Sequence, residues 1–302
     1  MAKTKKYLLS FLILLIPFSL MADEGAPKST GMSLWQLLFT PKYIAIFIVS
    51  IIGIILLFLN QFNTRNRVIL LLTSFILFAV VTVFYHSLFL SPSPVCSTTK
   101  PFIFGPKPPF FATLLAVGVL SIISTKGFCG NACPVGAMQE LLYKIPVLKK
   151  LKRKKIPFKV SNTIRITIVI IFLIVAFAFG TSVYYYINLF DLIHWEFDMP
   201  LLELVEFIVF TLLMLFLAMI FFRPFCYLIC PMGLFTWILE QFSFMRVRVK
   251  KDSCDMCGAC ELASPCPAIK DIINNKKIKA DCHLCGVCLN KCSKNSLYFG
   301  VK

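Results

Sequence analysis

Twelve of the thirteen cysteines fall into two kinds of pattern. Eight lie in the last fifty residues. Cys254, Cys257, Cys260 and Cys266 sit in "CDMCGACELASPCP", and Cys282, Cys285, Cys288 and Cys292 in "CHLCGVCLNKCS". C-x2-C-x2-C with a more distant fourth cysteine is the spacing of cubane iron–sulfur ligation. Three thiolates on a tight loop take three irons of one face, and Gly258 and Gly286 leave room for backbone amides to approach the sulfurs. Where two such runs occur together, the fourth cysteine of each serves the other cluster. The spacing therefore predicts one [4Fe–4S] cluster on Cys254, Cys257, Cys260 and Cys292, and a second on Cys282, Cys285, Cys288 and Cys266. Zinc sites use paired C-x2-C with long spacers rather than triplets, and disulfides explain metal-ligand spacing less well. Five residues precede the fourth cysteine of the first run, and Ser293 stands where a second proline is usual. Neither departure removes a ligand.

The other four cysteines form two copies of one motif. "FCGNACPVG", from Phe128, and "FCYLICPMG", from Phe225, share F-C-x-x-x-C-P-x-G at a separation of 97 residues. On a helical turn C-x3-C brings both sulfurs to one face. Pro134 and Pro231 disfavour helix at Cys133 and Cys230 and can start a new one. Cys129, Cys133, Cys226 and Cys230 could ligate a metal or cluster, work as two redox dithiols, or serve as packing elements of a tight turn. The spacing leaves these readings open, although a motif that occurs twice argues against packing alone.

The elements that must position these residues are apolar. The chain is 302 residues long, 58% hydrophobic, with mean hydropathy +0.83, which points to a multi-span membrane protein. The start, "MAKTKK" then "YLLSFLILLIPFSLMA", has the basic and apolar regions of a secretory signal or an N-terminal anchor over 1–22. Five apolar runs follow, near 42–59, 67–90, 110–125, 164–187 and 201–222. From residue 246 the chain becomes polar, basic and cysteine-rich. The expected organisation is an all-α polytopic transmembrane domain over 23–245, with about five helices, and an α+β two-cluster domain over 246–302.

The net charge of +17 has a positional explanation. Arg65, Arg67 and the run Lys149 to Lys155 fall in alternate loops, whereas "NLFDLIHWEFDMP" carries Asp191, Glu196 and Asp198 and no basic residue. The positive-inside rule then places the tail and both C-x3-C-P motifs on the cytoplasmic side of a bacterial inner membrane. A nucleic-acid partner is not expected. The two C-x3-C-P segments read as a weak parallel repeat about an axis along the membrane normal. In the acidic loop His194 and Asp191 could accept protons from a quinol among aromatic residues, against the plainer reading of an aromatic belt. Glu203 and Glu206 suit a helix N-terminus. Cys96 reads as a free or partner-linked cysteine and His86 as an interfacial histidine, with no haem expected.

Taken together, the two C-x3-C-P motifs and the eight-cysteine tail resemble a family of membrane polyferredoxins. It includes the membrane quinol dehydrogenase subunit of periplasmic nitrate reductase systems and the nitrous oxide reductase regulator-type proteins. Methylamine-utilisation and cytochrome oxidase accessory ferredoxins belong to the same group. "CGNACPVGAMQELLYKI" and "FCYLICPMG" look most like the nitrous oxide branch. The resemblance covers roughly 110–302. It implies electron transfer between the quinone pool and a redox partner protein of a respiratory reductase or its maturation system. An alternative is an accessory role in assembling a metallocentre such as copper, with cluster electrons and the C-x3-C-P thiols.

Overall fold

The computed structural model describes residues 33–146, 155–185, 187–194, 200–292 and 294–301, with the backbone alone at His86, Tyr185 and His194. The 1–22 signal or anchor, the basic run up to residue 154, Glu196, Asp198 and Ser293 lie outside the described residues.

Seven principal helices carry the bundle: α1 Pro41–Phe58, α2 Thr64–Phe84, α3 Pro108–Ile123, α4 Pro134–Lys144, α5 Phe158–Phe179, α6 Leu201–Ile220 and α7 Pro231–Glu240. Proline opens α1, α3, α4 and α7, where its missing N–H and fixed φ cost nothing. Gly180, at φ 66°, ends α5. Among the described residues four helices, α1, α2, α5 and α6, are long and apolar enough to cross a membrane. Rows of Ile, Leu and Phe on α5 and α6, such as Ile170, Ile174, Leu212 and Phe216, face outward. α3, the fifth expected span, has 16 residues, about 24 Å at 1.5 Å per residue, short of a ~30 Å hydrocarbon core. Phe110, Ala112, Ala116, Val117 and Leu120 bury one face of it against the bundle, while Phe111, Leu115, Val119 and Ile123 stay exposed.

The bundle is a repeat. α2, α3 and α4 correspond to α5, α6 and α7, with a C-x3-C-P turn after α3 and after α6. The connections at the far end also correspond: short helices Pro94–Thr99 and Leu189–His194 turn back between the long ones. The first packs on α3 and α7, the second on α4. Tyr184 shows how deep the second connection reaches. Its ring meets Phe172 of α5 at 5.3 Å, and its hydroxyl donates to the Ile229 carbonyl at 3.1 Å. Irregular backbone at membrane depth is tolerated when it is buried in protein, and Tyr184, Leu189 and Phe190 are buried.

The tail packs against the other end. β1 (Met245–Val249) pairs antiparallel with β2 (Leu297–Val301), Met245 opposite Val301 and Val249 opposite Leu297. The two cysteine runs lie between these strands with three short helices, Ala259–Ala263, Ala268–Ile273 and Val287–Asn290. Asn290 donates to the Phe62 carbonyl at 2.7 Å, Trp237 Nε1 to the Lys279 carbonyl at 2.9 Å, and Lys155 to the Glu261 carbonyl. A Cβ on Gly130 would sit 2.6 Å from the His283 carbonyl oxygen, and one on Gly286 2.5 Å from the Phe62 ring. The cysteine loops are thus seated directly on the helix ends.

Candidate iron–sulfur sites

The two tail runs fold into the same loop. In each, the residue two after the first cysteine and the glycine two further on take positive φ: Met256 at 53° and Gly258 at 72°, Leu284 at 51° and Gly286 at 71°. Each glycine then caps a short helix that carries the third cysteine. Left-handed turns of this kind aim successive backbone amides into one concavity, a nest for an anionic group such as a thiolate-ligated cluster. The amides of Leu284 and Val287 lie against the sulfurs of Cys282 and Cys285. Ser296 N donates to Cys292 Sγ at 3.2 Å.

Cys266, from the first run, contacts Cys285 of the second, and Cys257 and Cys292 both lie near Cys260. Cys285 and Cys288 are buried, and Cys257 is exposed. Among the described residues no three Cys, His, Asp or Glu side chains converge tightly enough for a single metal ion.

The C-x3-C-P cysteines come together. Phe128–Ala132 forms a π-helical turn and Pro224–Leu228 a short α-helix. Cys133 and Cys230 then cap α4 and α7 with extended backbone, ψ 118° in both. All four thiols are buried, and every pair among them lies within electrostatic range. Burial pushes the free Cys226 thiol up, to about 11, against the pull of Arg223. The two halves match in the contacts to their first cysteines. Gln139 Nε2, on α4, reaches Cys226 Sγ at 3.6 Å, and Thr236 Oγ1, on α7, reaches Cys129 Sγ at 3.8 Å. The amides of Gly136 and Gly233 lie against Cys133 and Cys230. Side chains at either glycine are excluded: a Cβ would meet the Cys129 carbonyl oxygen at 2.8 Å or that of Cys226 at 2.6 Å.

Four buried cations surround these turns, each donating to a motif carbonyl. Arg67 reaches Gly130 O at 2.9 Å, Lys126 reaches Gly233 O at 2.7 Å, Arg165 reaches Cys226 O at 3.4 Å, and Arg223 reaches Cys129 O. Glu140 pairs with Arg67 at 2.7 Å and Arg223 at 2.6 Å. Asp281, from the tail, pairs with Lys126 at 2.5 Å and Arg165 at 3.3 Å. The sequence reading missed this network and placed Arg67 among the loop charges. The signal was present, since ionisable residues inside apolar segments are rare and functional, and Arg165 and Lys126 stand in or beside such segments.

Asp191 lies on the helix Leu189–His194, where Asn188 Nδ2 donates to it at 2.6 Å. His194 ends the same helix, and its side chain is outside the described residues. Glu203 stands in the first turn of α6. Cys96 is half-buried on Pro94–Thr99, the counterpart of the Asp191 helix.

A family described as a 4Fe-4S binding domain matches this chain twice, at residues 107–156 and 204–251. The matches begin 97 residues apart, the spacing of the C-x3-C-P motifs, and contain those motifs. The uncharacterized protein MJ0750 of Methanocaldococcus jannaschii is 30% identical over 194 residues, 62% of this chain and 77% of that protein. The chain belongs to the family of MJ0750. The uncharacterized protein MJ0749 of the same organism is 28% identical over 232 residues, covering 74% of this chain and 81% of its own length. The methylamine utilization ferredoxin-type protein MauN of Paracoccus denitrificans is 27% identical over 172 residues, covering 53% of this chain and 56% of MauN. No solved structure matches. The 4Fe-4S family match and the ferredoxin-type relative identify an iron–sulfur electron-transfer protein with helices suited to a bilayer.

Proposed function

We propose that the chain is a membrane quinol dehydrogenase subunit that passes electrons between the quinone pool and a redox partner protein. The observation that carries this reading is the pair of equivalent cysteine loops in the tail, seated on an apolar bundle. Cys254, Cys257, Cys260 and Cys292 hold one [4Fe–4S] cluster, and Cys282, Cys285, Cys288 and Cys266 the other. When bound, such clusters accept and release single electrons at potentials tuned by charge, amide bonds and exposure.

The protein's own groups manage quinol. Oxidation of a quinol to a quinone yields two electrons and two protons. Asp191, oriented by Asn188, and His194 receive the protons at the far end of the bundle, where Leu189, Phe190 and Ile193 supply an apolar wall. The buried connection through Tyr184 shortens the way from that end to the C-x3-C-P turns. The setting is a bacterial inner membrane with the tail in the cytoplasm.

The test uses membranes containing the full chain, prepared anaerobically. A reduced quinol analogue should develop the EPR signals of reduced tail clusters. Asp191→Asn should slow this on the order of a hundredfold, the scale of a lost general base, without changing iron content. Clusters that no quinol reduces, in a chain that binds copper at the C-x3-C-P thiols, would replace this reading with metallocentre assembly.

A further inference from the structure

The two cysteine loops of the tail share one backbone but not one environment. We propose that the first loop, Lys251 to Leu262, is the docking surface for a soluble, acidic one-electron carrier protein of the ferredoxin kind. This rests on the electron-transfer reading and adds where on the tail, and with what class of partner, electrons are exchanged.

The second loop shows how such a face is used when it is covered. Leu284 is 1% exposed. A Cβ on Gly286 would lie 2.5 Å from the Phe62 ring, and Asn290 donates to the Phe62 carbonyl at 2.7 Å. The α1–α2 turn therefore fits over this loop, with an aromatic side chain against its glycine. Counted from the cysteines, the equivalent positions in the first loop are Met256, Gly258 and Leu262. The backbone is the same, left-handed at 256 and 258 as at 284 and 286. Yet Met256 is 66% exposed and Leu262 86%. A Cβ on Gly258 would meet nothing within 4 Å among the described residues. Cys257 is exposed, whereas its counterpart Cys285 is buried. Scattered apolar residues on a surface are ordinary. Here they stand at the positions that make the contact in the sister loop.

Charge and chemistry select the occupant. Lys250, Lys251, Lys291 and Lys294 are exposed around the loop, against exposed Asp252 and Asp255. They are drawn together by Ser296: its carbonyl accepts from Lys250 N, its hydroxyl donates to the Ser253 carbonyl, and its amide donates to Cys292 Sγ. A basic rim around an apolar centre steers and orients an acidic partner. Electron tunnelling falls steeply with distance, so the open cysteine marks where a second redox centre can come closest. Exchange across this face makes and breaks no bond. One centre gives up an electron as the other takes it.

The experiment uses the full chain in detergent, prepared anaerobically, with an acidic two-[4Fe–4S] ferredoxin as probe. Hydrogen exchange with and without the probe maps the contact. Slower exchange is expected across 251–262 and not across 274–279, the turn that Trp237 holds to the bundle. Binding should weaken about tenfold or more between ~50 and ~500 mM salt, as the charges are screened. Leu262→Glu and Lys251→Glu should each weaken it about tenfold or more, with iron content and the tail EPR signals unchanged; Lys251→Glu carries the test if Leu262→Glu loses iron. Unaltered exchange across 251–262, full-strength binding by the variants, or binding insensitive to salt would overturn the proposal. Phosphatidylglycerol vesicles that protect 251–262 where ferredoxin does not would overturn it too, and give the surface to the membrane. Quinol enters none of these measurements. Ferredoxin that docks on a chain whose clusters quinol cannot reduce keeps this inference and loses the proposed function, and a chain that quinol reduces but ferredoxin ignores does the reverse.

Discussion

Glu140 and Asp281 do the same thing in the two halves. Each takes two cations that bind C-x3-C-P carbonyls, but Glu140 belongs to the bundle and Asp281 to the tail. Burial would push the Glu140 carboxyl up; Arg67 and Arg223 outweigh it and hold it at about 2. A carboxyl lowered on folding stabilises the protein above its unfolded value of roughly 4.3. That contribution is lost as pH falls through about 2. Glu140→Gln should therefore cost about 3–5 kcal/mol by leaving two buried guanidiniums unpaired. The drop in midpoint temperature in detergent should be the same between about pH 6 and 8, where the carboxylate is fully ionised. An unchanged midpoint would mean that the ion pairs contribute nothing. Asp281→Asn should act differently, raising hydrogen exchange across 281–290 while the bundle keeps its protection; equal protection there would show that the tail docks without this contact. Legibility at this scale followed sequence distance. The eight tail cysteines are readable because ligands on one loop must be close in sequence. Glu140 is 73 residues from Arg67 and 83 from Arg223, so local pattern could not pair them.

At the scale of elements, the long helices were legible from apolar runs, and their ends moved for physical reasons. α5 starts at Phe158, before the apolar run at 164, because a helix can extend into polar "FKVSNT" outside the hydrocarbon. It stops at Phe179, before 187, because Gly180 turns left-handed. The returning helices Pro94–Thr99 and Leu189–His194 were not legible, since a short buried segment gets its burial from tertiary packing and not from its own periodicity. The C-P turns were legible as turns. Their closeness of fit was not: it rests on Gly136 and Gly233 meeting side chains and carbonyls from elsewhere. Gly136→Ala would place a Cβ 2.7 Å from Arg223 Nη1 and 2.8 Å from the Cys129 carbonyl oxygen. It should cost about 1–3 kcal/mol as overpacking, read as a lower midpoint temperature in detergent. Gly233→Ala should match it, since its Cβ would meet the Cys226 carbonyl oxygen at 2.6 Å. An unchanged midpoint in either variant would show that the turn can relax around a methyl group.

Across the whole molecule, contacts with the tail tell the two ends of the bundle apart. The α1–α2 turn meets the tail through Phe62 and Asn290, and the entry to α5 meets it through Lys155 and Glu261. Both therefore lie at the tail's end of the bundle, as do the C-x3-C-P turns. At the opposite end Lys42, near the start of α1, donates to the Ser91 carbonyl of the α2–α3 connection, and the acidic 188–200 segment joins α5 to α6. Basic residues around the helix ends favour the side with the anionic leaflet and resist translocation. Arg65, Lys155 and Lys159 are at the tail's end, whereas the other end carries Asp191 together with Lys42, Lys100 and Lys107. Reporter fusions should register this directly. A cytoplasmic reporter joined after Lys302 should be active and a periplasmic one silent, and insertion within 188–200 should give the opposite pair. An active periplasmic reporter at Lys302 would turn the molecule over. It would put Asp191 on the cytoplasmic side and the tail clusters outside, and the direction proposed for quinol protons would fail with it.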